Sequence, residues 1–210
     1  MNEWNKYQMA DEVLGIIPNK SIVNLGIGLP TLLAERVPNN KNIIIHSENG
    51  VLGVKGRPLK GNVSATLINA GKETIAVENG VSFFDSALSF GMIRGGHIDV
   101  TVLGAMEVSA DGSLANWSIP GQKITGMGGA MDLVNGPKTV IVMSYHRNKL
   151  NESKLVHCCK LPLTGKCVVD YVVTNLGVFQ PSKNLKKFHV IKVSDKNLKY
   201  ELKKDLFNFK

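Results

Sequence analysis

No apolar run in this 210-residue chain approaches the roughly 20 residues that a helix needs to cross a bilayer, which argues against a helical membrane span. The opening stretch Met1-Asn2-Glu3-Trp4-Asn5-Lys6 lacks the charged-then-apolar pattern of a secretory signal, so the sequence reads as a cytoplasmic protein. Cysteine is scarce. Cys158, Cys159 and Cys167 show neither the even count of a disulfide framework nor the CxxC spacing of a zinc site, and they read as reduced structural thiols. Aromatic residues make up only 6% of the chain, and no repeat, low-complexity tract or Pro/Ser-rich linker divides it. With 43% apolar residues the sequence is read as one domain over residues 1–210, large enough to bury a sizeable core.

Charge does not point to nucleic acid. The formal net charge is +8, and nine lysines from Lys183 onward, against Asp195, Glu201 and Asp205, account for +6 of it. A lysine-rich end with few interleaved aromatics reads as the solvated face of a helix rather than a nucleic-acid footprint.

The chain alternates between two kinds of segment. Trp4, Tyr7, Val13, Leu14 and Ile17 fall at near-helical spacing before Pro18-Asn19 ends the pattern, which predicts an opening amphipathic helix. Ser21–Leu25 is a short apolar run that meets Gly26-Ile27-Gly28-Leu29-Pro30, and a helix is expected from Thr31 to Val37. Asn42–His46, Asp99–Leu103 and Lys138–Met143 read as further strands, and residues 83–93 as a helix whose Phe83 and Phe84 go to the core. The Ile/Val runs are continuous rather than alternating, as in strands covered on both faces, so an α/β/α sandwich around a mostly parallel sheet is expected. The glycine-dense stretches 50–61 and 121–136 read as site loops.

In such sheets ligands gather at the carboxyl ends of strands, which makes Asn24 and Glu48 candidates by position. Glu48 follows three isoleucines and precedes Asn49-Gly50, so its carboxylate would emerge from a buried strand into a turn of small residues; a solvent-facing acid before an ordinary turn fits the same residues. Gly26 and Gly28 suit a tight turn and are not the six-residue dinucleotide fingerprint. Gly126–Asp132 runs from a glycine loop into a helix start, where backbone N–H groups can face an oxyanion, or simply form an empty loop. His97, in Arg94-Gly95-Gly96-His97, sits at a helix stop and reads as structural, and Asp85 has no partners that suggest a triad.

Val23–Thr31 and Ile45–Gly53, with Ser47-Glu48-Asn49-Gly50 at the centre of the second, closely resemble the beta chain of the 3-oxoacid coenzyme A transferases. The resemblance continues through Leu67–Lys72, Met92–Asp99, Leu114–Trp117, Gly126–Val134 and Leu161–Gly165, covering residues 22 to about 180 in order. It implies the coenzyme A transferase (NagB/RpiA-like) fold, with Glu48 as a covalent nucleophile in ping-pong transfer of CoA between a short acyl-CoA, succinyl-CoA or acetyl-CoA, and a short carboxylic or 3-oxo acid. By the same resemblance Asn24 orients Glu48 or the oxyanion, and Gly129 and Ala130 donate to the oxyanion. Gly26, Gly28, Asn49, Gly50, Lys72 and Gly128 contact CoA. The resemblance implies no metal and no cofactor beyond the CoA thioester as co-substrate. It also implies a homologous alpha subunit, in an α2β2 assembly, that completes the site. Val54–Lys60 is basic here where relatives turn acidic, which bears on acyl specificity, and the chain from Ser182 is poorly matched. Two other readings use the same residues: an acyl-CoA hydrolase in which water intercepts the glutamyl intermediate, and a non-catalytic CoA-sensing domain, for which Glu48 would be superfluous.

Overall fold

The computed structural model describes residues 2–121, 126–198, 202 and 207–209. Helix α1 (Lys6–Ile16) starts at a capping box: Asn5 Oδ1 accepts from the Tyr7 and Gln8 amides at 2.9 and 3.0 Å, and Gln8 Oε1 accepts from the Asn5 amide at 2.9 Å. Its inner face carries Met9, Ala10, Val13 and Leu14, all buried, and each apolar side chain of leucine size removed from water stabilises by about 1.5–3 kcal/mol. Tyr7, expected on that face, is instead 44% exposed beneath the Arg36 guanidinium.

Strands β1 (Ile22–Leu25), β2 (Ile44–Ser47), β3 (Val51–Lys55), β4 (Ala76–Phe83), β5 (Val100–Leu103), β8 (Thr139–Met143), β10 (Tyr171–Thr174), β11 (Gly177–Ser182), β12 (Lys187–Val193) and β13 (Phe207–Phe209) form one sheet in the order β13-β12-β11-β10-β8-β5-β1-β2-β3-β4. Its centre, β10-β8-β5-β1-β2, is parallel, and antiparallel pairs flank it on both sides. A second sheet pairs β7 (Leu114–Ala115), β6 (Glu107–Ser109) and β9 (Leu155–Val156). Side chains alternate across the large sheet: Val23, Ile45, Val100, Val102, Ile141 and Met143 pack under α1, while Leu103, Val140 and Val142 pack on the opposite side with Ile93 of α2 (Ser86–Arg94) and Leu133 of α3 (Ala130–Leu133). The α/β fold is thus as expected, with thin helical layers.

Several local expectations fail. The turn after β1 leads into a 3₁₀ helix, Leu29–Glu35, with Pro30 near its start, rather than an α-helix to Val37. The stretch 50–61 contains β3, because Gly53 at φ +102 lets the strand pass close to Val81 of β4. Helix α2 begins only at Ser86, capped by Asp85 Oδ1 on the Leu88 amide at 2.8 Å, and Phe83 is the exposed end of β4. The lysine-rich end is a strand rather than a helix face over Lys187–Val193, where Phe188 and Val190 are buried at a period of two; Lys199, Lys203, Lys204 and Lys210 lie outside the described residues. As expected, Gly95-Gly96 stops α2: the Gly96 and His97 amides bond back to the Ile93 and Met92 carbonyls, with Gly96 at φ +73.

Candidate active site

Parallel register brings the first two site residues together. Asn24 on β1 is directly opposite His46 on β2, and Glu48 follows two residues later, just past the strand end. Asn24 Nδ2 lies 3.2 Å from Glu48 Oε2 and 3.1 Å from His46 Nδ1; His46 Nε2 lies 3.1 Å from Ser89 Oγ on α2. Asn24, His46 and Ser89 are fully buried, while Glu48 is half-buried and reaches the surface of a cavity. Burial pushes the His46 imidazole down to about 4, so it is neutral at ordinary pH, and Phe84 stacks on it with ring centroids 6.0 Å apart. The residues beside Glu48 are tied the other way: Ser47 Oγ accepts from the Ala70 amide at 3.0 Å, and Asn49 Nδ2 donates to the Ile68 carbonyl at 2.8 Å. The Leu67–Lys72 loop is thereby fastened on both sides of the glutamate.

The cavity holds about 590 Å³ and is lined by Glu48, Gly26, Lys72, Gly128, Gly129 and Ala130 from the expected set, with Ile27, Leu103, Met106, Trp117, Met127 and Leu133 as its apolar walls. Glu48 and Lys72 are the two charged residues among its described lining. A β-carbon on Gly129 would stand in ordinary contact with Glu48 Cγ at 3.7 Å but only 2.9 Å from Phe90 Cζ, so the glycine lies beside the glutamate and it is the Phe90 ring that leaves no room for a side chain there. The Ala130 amide is already bonded to the Met127 carbonyl at 3.2 Å, whereas the Gly129 amide has no backbone partner among the described residues. Of the two expected donors, Gly129 is therefore the available one.

Asn24 stands behind Glu48 rather than in the cavity lining, and three of the residues expected to contact CoA also lie away from it and have structural tasks. Gly50, at φ +111, passes so close to Phe84 that a β-carbon would lie 1.9 Å from its carbonyl oxygen. Asn49 fastens the neighbouring loop, and the Gly28 carbonyl accepts from the Thr31 amide and hydroxyl at 3.0 and 2.8 Å. Elsewhere distant motifs meet: Thr164 Oγ1 donates to Asn116 Oδ1 at 2.6 Å, and Trp117 Nε1 reaches the Leu163 carbonyl at 3.3 Å. Sequence reasoning missed Lys154, which donates to the Ala105 carbonyl behind the cavity wall and to Ser144 Oγ at 2.9 and 2.8 Å. It also missed His46, whose one signal was a polar residue ending an isoleucine run. Among the described residues no group of three or more His, Cys, Asp or Glu side chains stands close enough to hold a metal ion, and no helix is long and apolar enough to cross a membrane.

The profile of one protein family, coenzyme A transferase, matches residues 7–194. The chain belongs to the coenzyme A transferase family. It is 61% identical over 165 residues to the B subunit of the succinyl-CoA:3-ketoacid coenzyme A transferase of Helicobacter pylori strain 26695, covering 79% of each chain. It is 50% identical over 158 residues to the beta subunit of the acetate CoA-transferase of Haemophilus influenzae Rd, covering 75% of this chain and 70% of that one. In fold it is similar to the crystal structure of an acyl-CoA transferase apoenzyme from Escherichia coli O157:H7, with a TM-score of 0.73 at 17% identity over 99% of this chain and 42% of that one. Membership makes the protein an enzyme of CoA transfer, and the CoA-sensing reading falls with it.

Proposed function

We propose that this coenzyme A transferase moves CoA between succinyl-CoA or acetyl-CoA and a short carboxylic or 3-oxo acid, with Glu48 as the covalent carrier. A Glu48 oxygen attacks the thioester carbonyl carbon, the C–S bond breaks, and CoA leaves as its thiolate, giving an acyl-glutamyl anhydride. The thiolate then attacks the glutamyl carbonyl and expels the acyl group as a free carboxylate, leaving a glutamyl-CoA thioester. An acceptor acid runs both steps backward. Each step passes through a tetrahedral oxyanion, for which the Gly129 amide is the donor offered by this chain, and Lys72 supplies the positive charge at the rim for CoA. The observation that carries this reading is the half-buried Glu48 carboxylate held by Asn24 at a cavity mouth, against a glycine backbone. A partner subunit completes the 590 Å³ space, a reading supported by relatives that are themselves named B or beta subunits; we take that partner to be a homologous alpha chain in an α2β2 assembly.

The test is isotope exchange in the reconstituted complex. Label should pass from free acid to acyl-CoA only when both are present, and Glu48→Ala should abolish the exchange. Retained exchange in Glu48→Ala contradicts the reading, and acceptor-independent release of acid would turn it into hydrolysis.

A further inference from the structure

The strands at the centre of the sheet carry almost only Val, Ile and Leu, yet one row across three of them is polar: Thr101 on β5, Asn24 on β1 and His46 on β2 are paired in register and all are 0% exposed. Parallel register partners face the same way, so the row lies on the α2 side, where Ser89 meets His46. Burying such groups is unfavourable unless they bond, and two atoms of the row, Asn24 Oδ1 and Thr101 Oγ1, have no hydrogen-bond partner among the described residues. Asn24 therefore keeps its amide nitrogen toward both His46 and Glu48 while leaving its carbonyl oxygen unbonded. A rotated amide would turn that oxygen against the Glu48 carboxylate, and it would pair with His46 only if Nδ1 carried the proton.

We propose that His46 is a positioning residue for the transfer reaction: with Ser89 taking the Nε2–H, Nδ1 is left as a bare acceptor that locks the Asn24 amide with its N–H groups toward Glu48. The chain of contacts Ser89, His46, Asn24, Glu48 thus has a direction, set by which ring nitrogen holds the proton. The depressed basicity of His46 fits this role, since a protonated ring would have no acceptor to offer. The proposal rests on the reading of Glu48 as nucleophile: what His46 fixes is the carboxylate's aim, and misplacing a reacting group by about 1 Å lowers rates on the order of 100-fold.

The experiment measures single-turnover formation of the Glu48–CoA adduct in the reconstituted complex, with its limiting rate and half-saturating acyl-CoA concentration. His46→Leu, similar in size without an acceptor, should lower the limiting rate about 10- to 100-fold with half-saturation unchanged. His46→Asn, whose Oδ1 falls near the place of Nδ1, should restore most of the rate. Ser89→Ala, which keeps the ring and frees its tautomer, should lower the rate about 3- to 10-fold and serves if His46→Leu does not fold. Unchanged rates in His46→Leu or in Ser89→Ala overturn the proposal, as does a loss that appears only in half-saturation or is not relieved by His46→Asn. Absence of a Glu48 adduct in the unsubstituted complex would instead overturn the nucleophile reading itself.

Discussion

Among the described residues two histidines are buried, and they resemble each other in exposure and in lowered basicity. His46 is 0% and His146 3% exposed, and burial brings each down to about 4, with the positive charge of Arg147 adding to the effect at His146. Their partners differ. His46 bonds an asparagine that bonds the site glutamate, whereas the His146 ring sits between Phe179 and Phe207, with ring centroids at 5.7 and 6.1 Å, and its polar side-chain contacts among the described residues are the Thr174 and Ser153 hydroxyls at 3.4 Å. A depressed basicity marks burial, and only the second partner along the chain of contacts separates a residue serving the site from one serving the core.

The largest effect should come from the glutamate at the end of the His46 chain. Glu48→Ala in the reconstituted complex is expected to lower transfer by at least ~10⁴-fold with an unchanged melting temperature, since a half-buried side chain at a strand end contributes little packing. Steady-state kinetics and thermal denaturation check the two halves of that statement. Next comes the comparison itself: His46→Leu should lower kcat about 10- to 100-fold, whereas His146→Leu should leave kcat per folded molecule unaltered and change stability by about 1 kcal/mol or less at neutral pH, because the Thr174 and Ser153 hydroxyls keep their bonds to Leu176 and Leu155. Equal kinetic losses in both variants would erase the distinction.

pH acts on the two alike. Each imidazole has an ordinary value of 6.5 and a folded value of about 4, so between those values the unfolded chain binds more protons than the folded one. Stability is fully present above pH 6.5 and is lost as pH falls toward 4, by up to about 3 kcal/mol for each histidine. Melting curves of the His46→Leu and His146→Leu chains should each show about half of that dependence; a dependence left whole in either would mean that its histidine is not buried as described. The smallest effect is expected at Lys72, which lines the cavity from a left-handed turn position at φ +64. Lys72→Ala should raise KM for acyl-CoA about 2- to 5-fold, in keeping with a solvated ion contact, with kcat unaltered.

The sequence made the strand-turn positions of Asn24 and Glu48 legible, because continuous Ile/Val runs end just before them. What it hid was lateral. That His46 meets Asn24 depends on parallel register between segments 22 residues apart, which no local pattern encodes. β4 was hidden for a different reason: Glu78-Asn79-Gly80 interrupts any apolar pattern between Val77 and Val81, and Gly80 at φ +86 lies within the strand. At the lysine-rich end, charge masked the alternation of Phe188 and Val190 that builds an inner face of β12. The available Gly129 amide was legible as a loop, whereas the engaged state of Ala130 required its bond to Met127.

Peptide mapping by mass spectrometry of the reconstituted complex, quenched during turnover with acyl-CoA, shows whether Glu48 carries the CoA. A CoA adduct is expected on the peptide bearing Glu48, absent in Glu48→Ala and discharged by an acceptor acid. Sustained transfer with that peptide unmodified, or an adduct on another residue, would contradict that role for Glu48.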